Sequence, residues 1–296
     1  MNRHTRNLLM IAGGTLMLAG CFDGSSSDGT GTLSLDITDA PVDNATAVVV
    51  EFSGVEIQPA DGQRISFEFD EIRSIDLLTL QGNDSEPLLE GESVPAGEYE
   101  WIRLQVNAVA GTVDSFIEFE DGGQHSLFVP SGSETGFKLV SGFTVPAGGA
   151  ADFTIDFDLR KSVTNPQGKP DYILKPALRM VNNVDVGSIS GTVADAWAAD
   201  DACSPAVYVY TGHDAEAGSE GSDNPPLTSA LVALNDDSGE FEYTVGFLEE
   251  ADYSAAFTCE ADQDDPEEGN DIEFLQKHNS SVTAGEESTV DFGPDV

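Results

Sequence analysis

The sequence predicts an all-β protein of two β-sandwich domains in tandem, and three observations carry that expectation. Nearly every apolar run alternates with period two rather than 3.6. The runs are short and bounded by Gly, Pro, Asp or Asn, the residues that end strands and build turns. Finally, 40% of the residues are hydrophobic, 16 of them Phe, so cores can be buried even at a formal charge of −42, where a less apolar chain would stay disordered.

Taken in order, Leu33, Leu35 and Ile37 share one face of a first strand. Residues 48–57 form a long strand interrupted at Gly54, where a glycine without a side chain to pack predicts a bulge or bend. Alternation recurs at 65–69, 102–106, 117–119 and 153–157. Residues 72–80 fit neither period cleanly and are the best candidate for a helical turn. Val94-Pro95-Ala96-Gly97 returns as Val145-Pro146-Ala147-Gly148 and, more loosely, as Val282-Thr283-Ala284-Gly285. A type II turn explains the repeat, with Pro at the first central position and Gly supplying positive φ. Past residue 186, strands are expected at 187–193, 206–210, 230–234, 239–245, 253–259 and 282–292. A hairpin turn is expected at Asp236-Asp237-Ser238-Gly239.

Charge divides the chain. Residues 22–185 hold 28 acidic and 9 basic side chains, whereas residues 186–296 hold 26 and 1. Such a shift in composition predicts domains at 32–185 and 186–296. So acidic a surface repels phosphate backbones and anionic headgroups, which excludes nucleic acid as a partner and leaves cations or neutral polymers.

Residues 1–20 read as a cleaved signal peptide. Arg3 and Arg6 precede an apolar stretch of roughly 13 residues, too short to span about 30 Å of hydrocarbon. The stretch ends in Leu18-Ala19-Gly20-Cys21, which resembles the lipobox of bacterial lipoproteins. The resemblance implies acylation at Cys21, with residues 21–31 as the lipidated cysteine and a flexible Ser/Gly tether. Phe22 follows the cysteine in place of the Asp that holds similar lipoproteins at the inner membrane. The implied address is therefore the outer membrane of a Gram-negative envelope. In that oxidising setting Cys203 and Cys259 are expected to pair, since no Cys-x-x-Cys spacing suggests a metal or redox role.

Two further resemblances bear on the domains. Gly31-Thr32-Leu33-Ser34-Leu35-Asp36-Ile37-Thr38-Asp39-Ala40-Pro41, with Val55-Glu56-Ile57, Ile75-Asp76-Leu77-Leu78 and Gly136-Phe137-Lys138, resembles the DUF4382 family of bacterial cell-envelope proteins over residues 31–181. That likeness implies a fold and a location but no activity. Within it, Asp39 is expected to cap its turn through its own backbone. Gly187-Ser188-Ile189-Ser190-Gly191-Thr192-Val193 is similar to the first strand of carboxypeptidase-regulatory-like, transthyretin-type sandwiches. Some modules of that class have carbohydrate-binding-like folds.

Catalytic motifs are scarce. The sequence has no Gly-x-Ser-x-Gly, Walker A loop, Gly-x-Gly-x-x-Gly or His-Glu-x-x-His, and His125, His213 and His278 are scattered. The densest polar segment, residues 262–273, gathers Asp262, Asp264, Asp265, Glu267 and Asp271, an oxygen-rich set suited to calcium. Pro266 and Glu267 stand where an EF-hand loop would need other residues. Trp197, Tyr208 and Tyr210 are the aromatic candidates for stacking on sugar rings, and Tyr99 with Trp101 on one strand face invites the same reading. The expectation is a non-catalytic envelope lipoprotein that binds a polysaccharide or an envelope protein. Alternatives are a calcium-assisted hydrolase using carboxylates and a purely structural surface protein.

Overall fold

Period-two alternation becomes two facing sheets in each half of the chain. The computed structural model describes residues 29–294 apart from 41–44, 120–121, 131–135, 166–170, 176, 268 and 270. The leader, the lipidation expected at Cys21 and most of the tether lie outside the described residues.

In the first half a four-stranded sheet runs in the order Leu178–Asn182, Ala150–Asp158, Thr30–Ala40, Glu86–Pro95. Thr30–Ala40 pairs in parallel with Ala150–Asp158, so that Leu35 lies beside Phe153 and Ile37 beside Ile155. Facing it is a nine-stranded sheet centred on the long strand Ala45–Pro59, which is bordered by Ile65–Asp76, Gly97–Asn107 and Phe116–Phe119. Leu33, Leu35 and Ile37 meet Val50, Phe52, Ile57, Leu104 and Phe137 between the sheets, all fully buried. Phe157 is gripped edge-on by Phe52 and Phe137, with ring centres 6.2 and 5.7 Å away.

The bulge expected at Gly54 is present, since register shifts between Phe52 and Gly54 on both neighbours. A Cβ there would stand 2.5 Å from the Phe67 carbonyl oxygen, so close approach rather than a special φ requires glycine. The helical turn expected at 72–80 shrinks to one 3-10 turn, Leu77–Thr79, because strand Ile65–Asp76 continues to its edge. Asp76 caps that turn, its Oδ1 accepting from Leu78 N at 3.2 Å. Two of the three copies of the repeated turn keep a left-handed glycine, Gly148 at 68° and Gly285 at 74°, whereas Gly97 stands at 145° and opens the strand Gly97–Asn107 directly. Proline sits one place earlier than expected, however. Gly149 N bonds Pro146 O, and Glu286 N bonds Thr283 O, which makes Ala147 and Ala284 the first central residues.

The second half is a sandwich of two four-stranded sheets. One runs Ala233–Leu234, Phe241–Glu249, Val186–Val193, Glu287–Thr289; the other runs Thr228–Leu231, Ala206–Thr211, Ala251–Thr258, Phe274–Val282. Ile189, Val207, Val209, Leu248 and Phe257 fill its centre. The expected hairpin closes with Gly239 at φ 74°. Cys203 and Cys259 form the expected disulfide, stapling a strand end to the loop before Ala206.

The two halves meet closely. Asn183, Val184 and Asp185 form a turn in which Asn183 N bonds Asp152 O while Asp185 O receives Glu250 N. Nearby, Gly82 and Gly246 touch backbone to backbone, and a Cβ on Gly246 would lie 2.1 Å from Gly82 O. Gly246→Ala is expected to prise the halves apart and destabilise the chain by about 1–3 kcal/mol, read by thermal melting. Replacing both Cys203 and Cys259 by Ala should cost about 4 kcal/mol through the loop it frees, measured by denaturant titration.

Candidate functional site

Four basic residues of the first half reach across to the acidic second half. Lys161 Nζ lies 2.7 Å from Asp158 Oδ2 in its own half, and 2.8 Å from Glu220 Oε2 and 3.0 Å from Pro226 O in the other. Arg179 holds Asp156 at 2.7 Å and donates from Nη1 to the Phe247 carbonyl at 2.8 Å. Phe247 is one of two described non-glycine residues at positive φ, so its carbonyl is turned out of the ladder toward that guanidinium. Lys175 pairs with Glu267 at 2.7 Å, and Arg160 donates to the Tyr208 hydroxyl.

Tyr208 passes that bond on. Its O–H donates to Asp264 Oδ2 at 2.8 Å, and the Glu220 N–H donates to the same carboxylate at 3.1 Å. Burial pushes the Tyr208 hydroxyl far above the usual tyrosine range, aided by Asp264, so it stays a proton donor at any physiological pH. Burial likewise raises Glu220 to about 7, with Asp158 adding repulsion and Lys161 opposing it.

Above this network runs a groove of about 690 Å³. One wall belongs to the first half, where Phe119 ends strand Phe116–Phe119 and Tyr172 starts strand Tyr172–Leu174; their rings tilt together at 5.4 Å with His125 against both. The opposite lip is the acidic loop, with Asp262, Asp265 and Glu267 exposed. Arg160 and Asp264 form the floor, and Thr164 presents a buried hydroxyl without a hydrogen-bond partner among the described residues. Aromatic faces opposite exposed carboxylates suit a polyhydroxylated ligand, whose apolar ring faces stack while its hydroxyls donate.

Several residues singled out from the sequence sit elsewhere. Tyr208 and Tyr210 do share a strand face, but the loops after Thr211 and Cys259 cover it; they are 0% and 3% exposed and unavailable for stacking on a sugar. Trp197 lies half-buried against Phe257, ring planes 7° apart, beside the disulfide. Tyr99 and Trp101 do not share a face, because Glu100 is an extra residue opposite Gln58 and Pro59 and reverses the alternation. Tyr99 turns in to stack on Phe143, whereas Trp101 faces out under Lys138 and Arg103.

The acidic loop is a latch. Asp264 is taken by Tyr208, Glu267 by Lys175, and Asp265 Oδ1 by Glu267 N; Asp271 lies outside the groove lining. Among the described residues no three acidic, His or Cys side chains come together as metal ligands, so the calcium set expected at Asp262, Asp264, Asp265, Glu267 and Asp271 is not assembled. His213 meets both Asp252 and Ser281 at 3.3 Å, but through the same ring nitrogen, and Ser281 donates directly to Asp252 at 2.6 Å. A nucleophile–base–orienter relay needs opposite nitrogens. Phe119, Tyr172, Arg160 and Thr164 gave no sequence signal, since the groove exists only once the halves dock.

Residues 30–176 match the family model described as Domain of unknown function (DUF4382). No curated protein matches the chain. Among solved structures it is similar to the TIE protein of Bacillus anthracis, at 11% identity over 89% of this chain and 33% of that one, with a TM-score of 0.20. A leucine-rich repeat protein from Bacteroides thetaiotaomicron is similar at 11% over 90% and 26%, TM-score 0.21. GBS52, the minor pilin of Streptococcus agalactiae, is similar at 9% over 88% and 94%, TM-score 0.20. The chain spans about a third and a quarter of the first two. Likenesses this distant say nothing of what it binds.

A pH dependence follows from Glu220. Its carboxyl rises from the ordinary 4.5 to about 7 in the folded chain, so folding takes up a proton as pH falls through that window. The stability contributed is full below about 4.5 and is lost as pH rises through about 7. Melting temperature should therefore fall between pH 5 and 8, and Glu220→Gln should flatten that slope in parallel melts.

Proposed function

We propose that this protein is a non-catalytic, lipid-anchored envelope module that holds a polysaccharide in the groove between its two sandwiches. The observation that carries the reading is the pairing of Phe119 and Tyr172 on one wall with the exposed carboxylates of Asp262 and Asp265 on the other. Sugar rings stack on the aromatics, and their hydroxyls donate to the carboxylates. Anchoring is assigned to acylation at Cys21, and among the described residues no helix is long and apolar enough to cross a membrane. Likeness of the 187–193 strand to carboxypeptidase-regulatory-like sandwiches fits an accessory, ligand-holding role.

The test is binding of the protein to a glycan panel, in calcium and again in chelator. A reproducible hit is expected to weaken about tenfold or more in Tyr172→Ala, in line with about 1–2 kcal/mol for one aromatic platform, while the melting temperature stays within a few degrees. Wild-type protein that binds no glycan in either condition overturns the reading and leaves scaffolding of envelope proteins in its place.

A further inference from the structure

Apart from the groove, Thr38 and Asp39 near the end of the first strand lie against the second sandwich. A cavity of about 190 Å³ lies there, lined by Asp39, Asp156 and Gln81 from one half and Ser229 and Tyr243 from the other. Thr38 Oγ1 sits 2.8 Å from the Leu80 and Asp84 carbonyl oxygens, and Asp39 N bonds Leu80 O, so the strand end is fixed against the turn that carries Gly82.

The turn that the sequence expects Asp39 to cap, residues 41–44, lies outside the described residues. Asp39 is 5% exposed, and both carboxylate oxygens are buried without a hydrogen-bond partner among the described residues. Burial, and after it the nearby Asp156 and Asp158 carboxylates, push its pKa well above the ordinary range, with the Leu159 backbone N–H acting in the opposite direction. Asp156 already holds Arg179, and Asp158 holds Lys161, so neither cation answers Asp39. A buried carboxylate without a counter-charge of its own is strongly unfavourable unless a cation or proton joins it. A proton alone would still leave an O–H needing an acceptor.

A second orphan, from the other sandwich, faces the same space. Ser229 is 4% exposed and its Oγ also lacks a partner among the described residues. Two independent elements thus bring side chains with unanswered oxygens to the lining of one small cavity. We propose that this cavity binds one calcium-class divalent cation, with Asp39 as the charged ligand and Ser229 as a neutral ligand from across the seam. Calcium accepts six to eight oxygens in loose geometry, and water and backbone or amide oxygens complete its shell when few carboxylates are present. Gln81 and Asp156 lie on the same lining, and a space of this size leaves room for bound water. The ion would cross-link the two halves, independently of any glycan.

Terbium luminescence excited through tyrosine tests this on the full chain, because Tyr243 lines the cavity. High salt screens the acidic surface during the titration. The expected result is one saturable ion per chain, displaced by calcium, lost in Asp39→Asn and weakened by about tenfold or more in Ser229→Ala. Asn fits the same space without the charge, so a folded variant is expected, and its melting curve confirms that. A saturable ion that survives in Asp39→Asn overturns the proposal, as does wild-type protein showing only non-saturating surface binding.

Discussion

The structure depends on a loan of positive charge from one half of the chain to the other. Residues 186–296 have one basic side chain against 26 acidic ones, a ratio that on its own would set every loop of that sandwich against its neighbours. Arg160, Lys161, Lys175 and Arg179 all come from the segment after strand Ala150–Asp158 and all reach the second half. Their targets are Glu220, Glu267, the Phe247 carbonyl and, through Tyr208, Asp264. The seam is thus the place where the second domain's charge is answered, and separating the halves would leave Asp264 and Glu220 without their counter-charges. Exposed pairs such as Lys175–Glu267 add little by themselves. The buried ones matter because breaking them strands a charge in low dielectric.

That arrangement accounts for what could be read from sequence and what could not. Period two and its punctuation located the strands, because strand faces are set locally by burial on one side. The Gly54 bulge was legible, since a glycine inside an alternating run leaves a gap in side-chain packing that a strand keeps at a bulge or where another backbone comes close. The disulfide was legible from counting. By contrast, Tyr208 and Tyr210 are covered by loops whose acidic composition argued for solvent, and only the Arg160–Tyr208–Asp264 chain of bonds shows why those loops fold back. Tyr99 and Trp101 part company over one unpaired residue, Glu100, which leaves no mark in the pattern of apolar residues. Asp39 reads as an ordinary turn former beside Pro41, and its isolation depends on a sandwich that begins almost 150 residues later.

The groove and the cavity are both products of docking, each lined from both halves. The groove has aromatic walls and exposed acids and faces solvent; the cavity is small, and its acid is sealed from water. Gly82 against Gly246 sets the approach that makes the cavity walls meet, and the acidic loop closes the groove's lip through Asp264. An acidic surface can therefore serve two different ends: repulsion keeps the outside solvated, whereas buried carboxylates at the seam report whether the halves are together.

Thr30–Ala40 lies inside its sheet and runs parallel to Ala150–Asp158, whereas Leu178–Asn182 returns antiparallel along the far side of Ala150–Asp158. The chain therefore enters the first half at Gly29 and leaves it at Asn183 on the same end of one sheet, with Ala150–Asp158 between the two points. A pull between them would peel Leu178–Asn182 from its neighbour rung by rung, as a hairpin opens from its ends, rather than load the whole ladder at once. Mechanical resistance then rests on the contacts between the halves, because the sheet itself offers its weaker direction to that load.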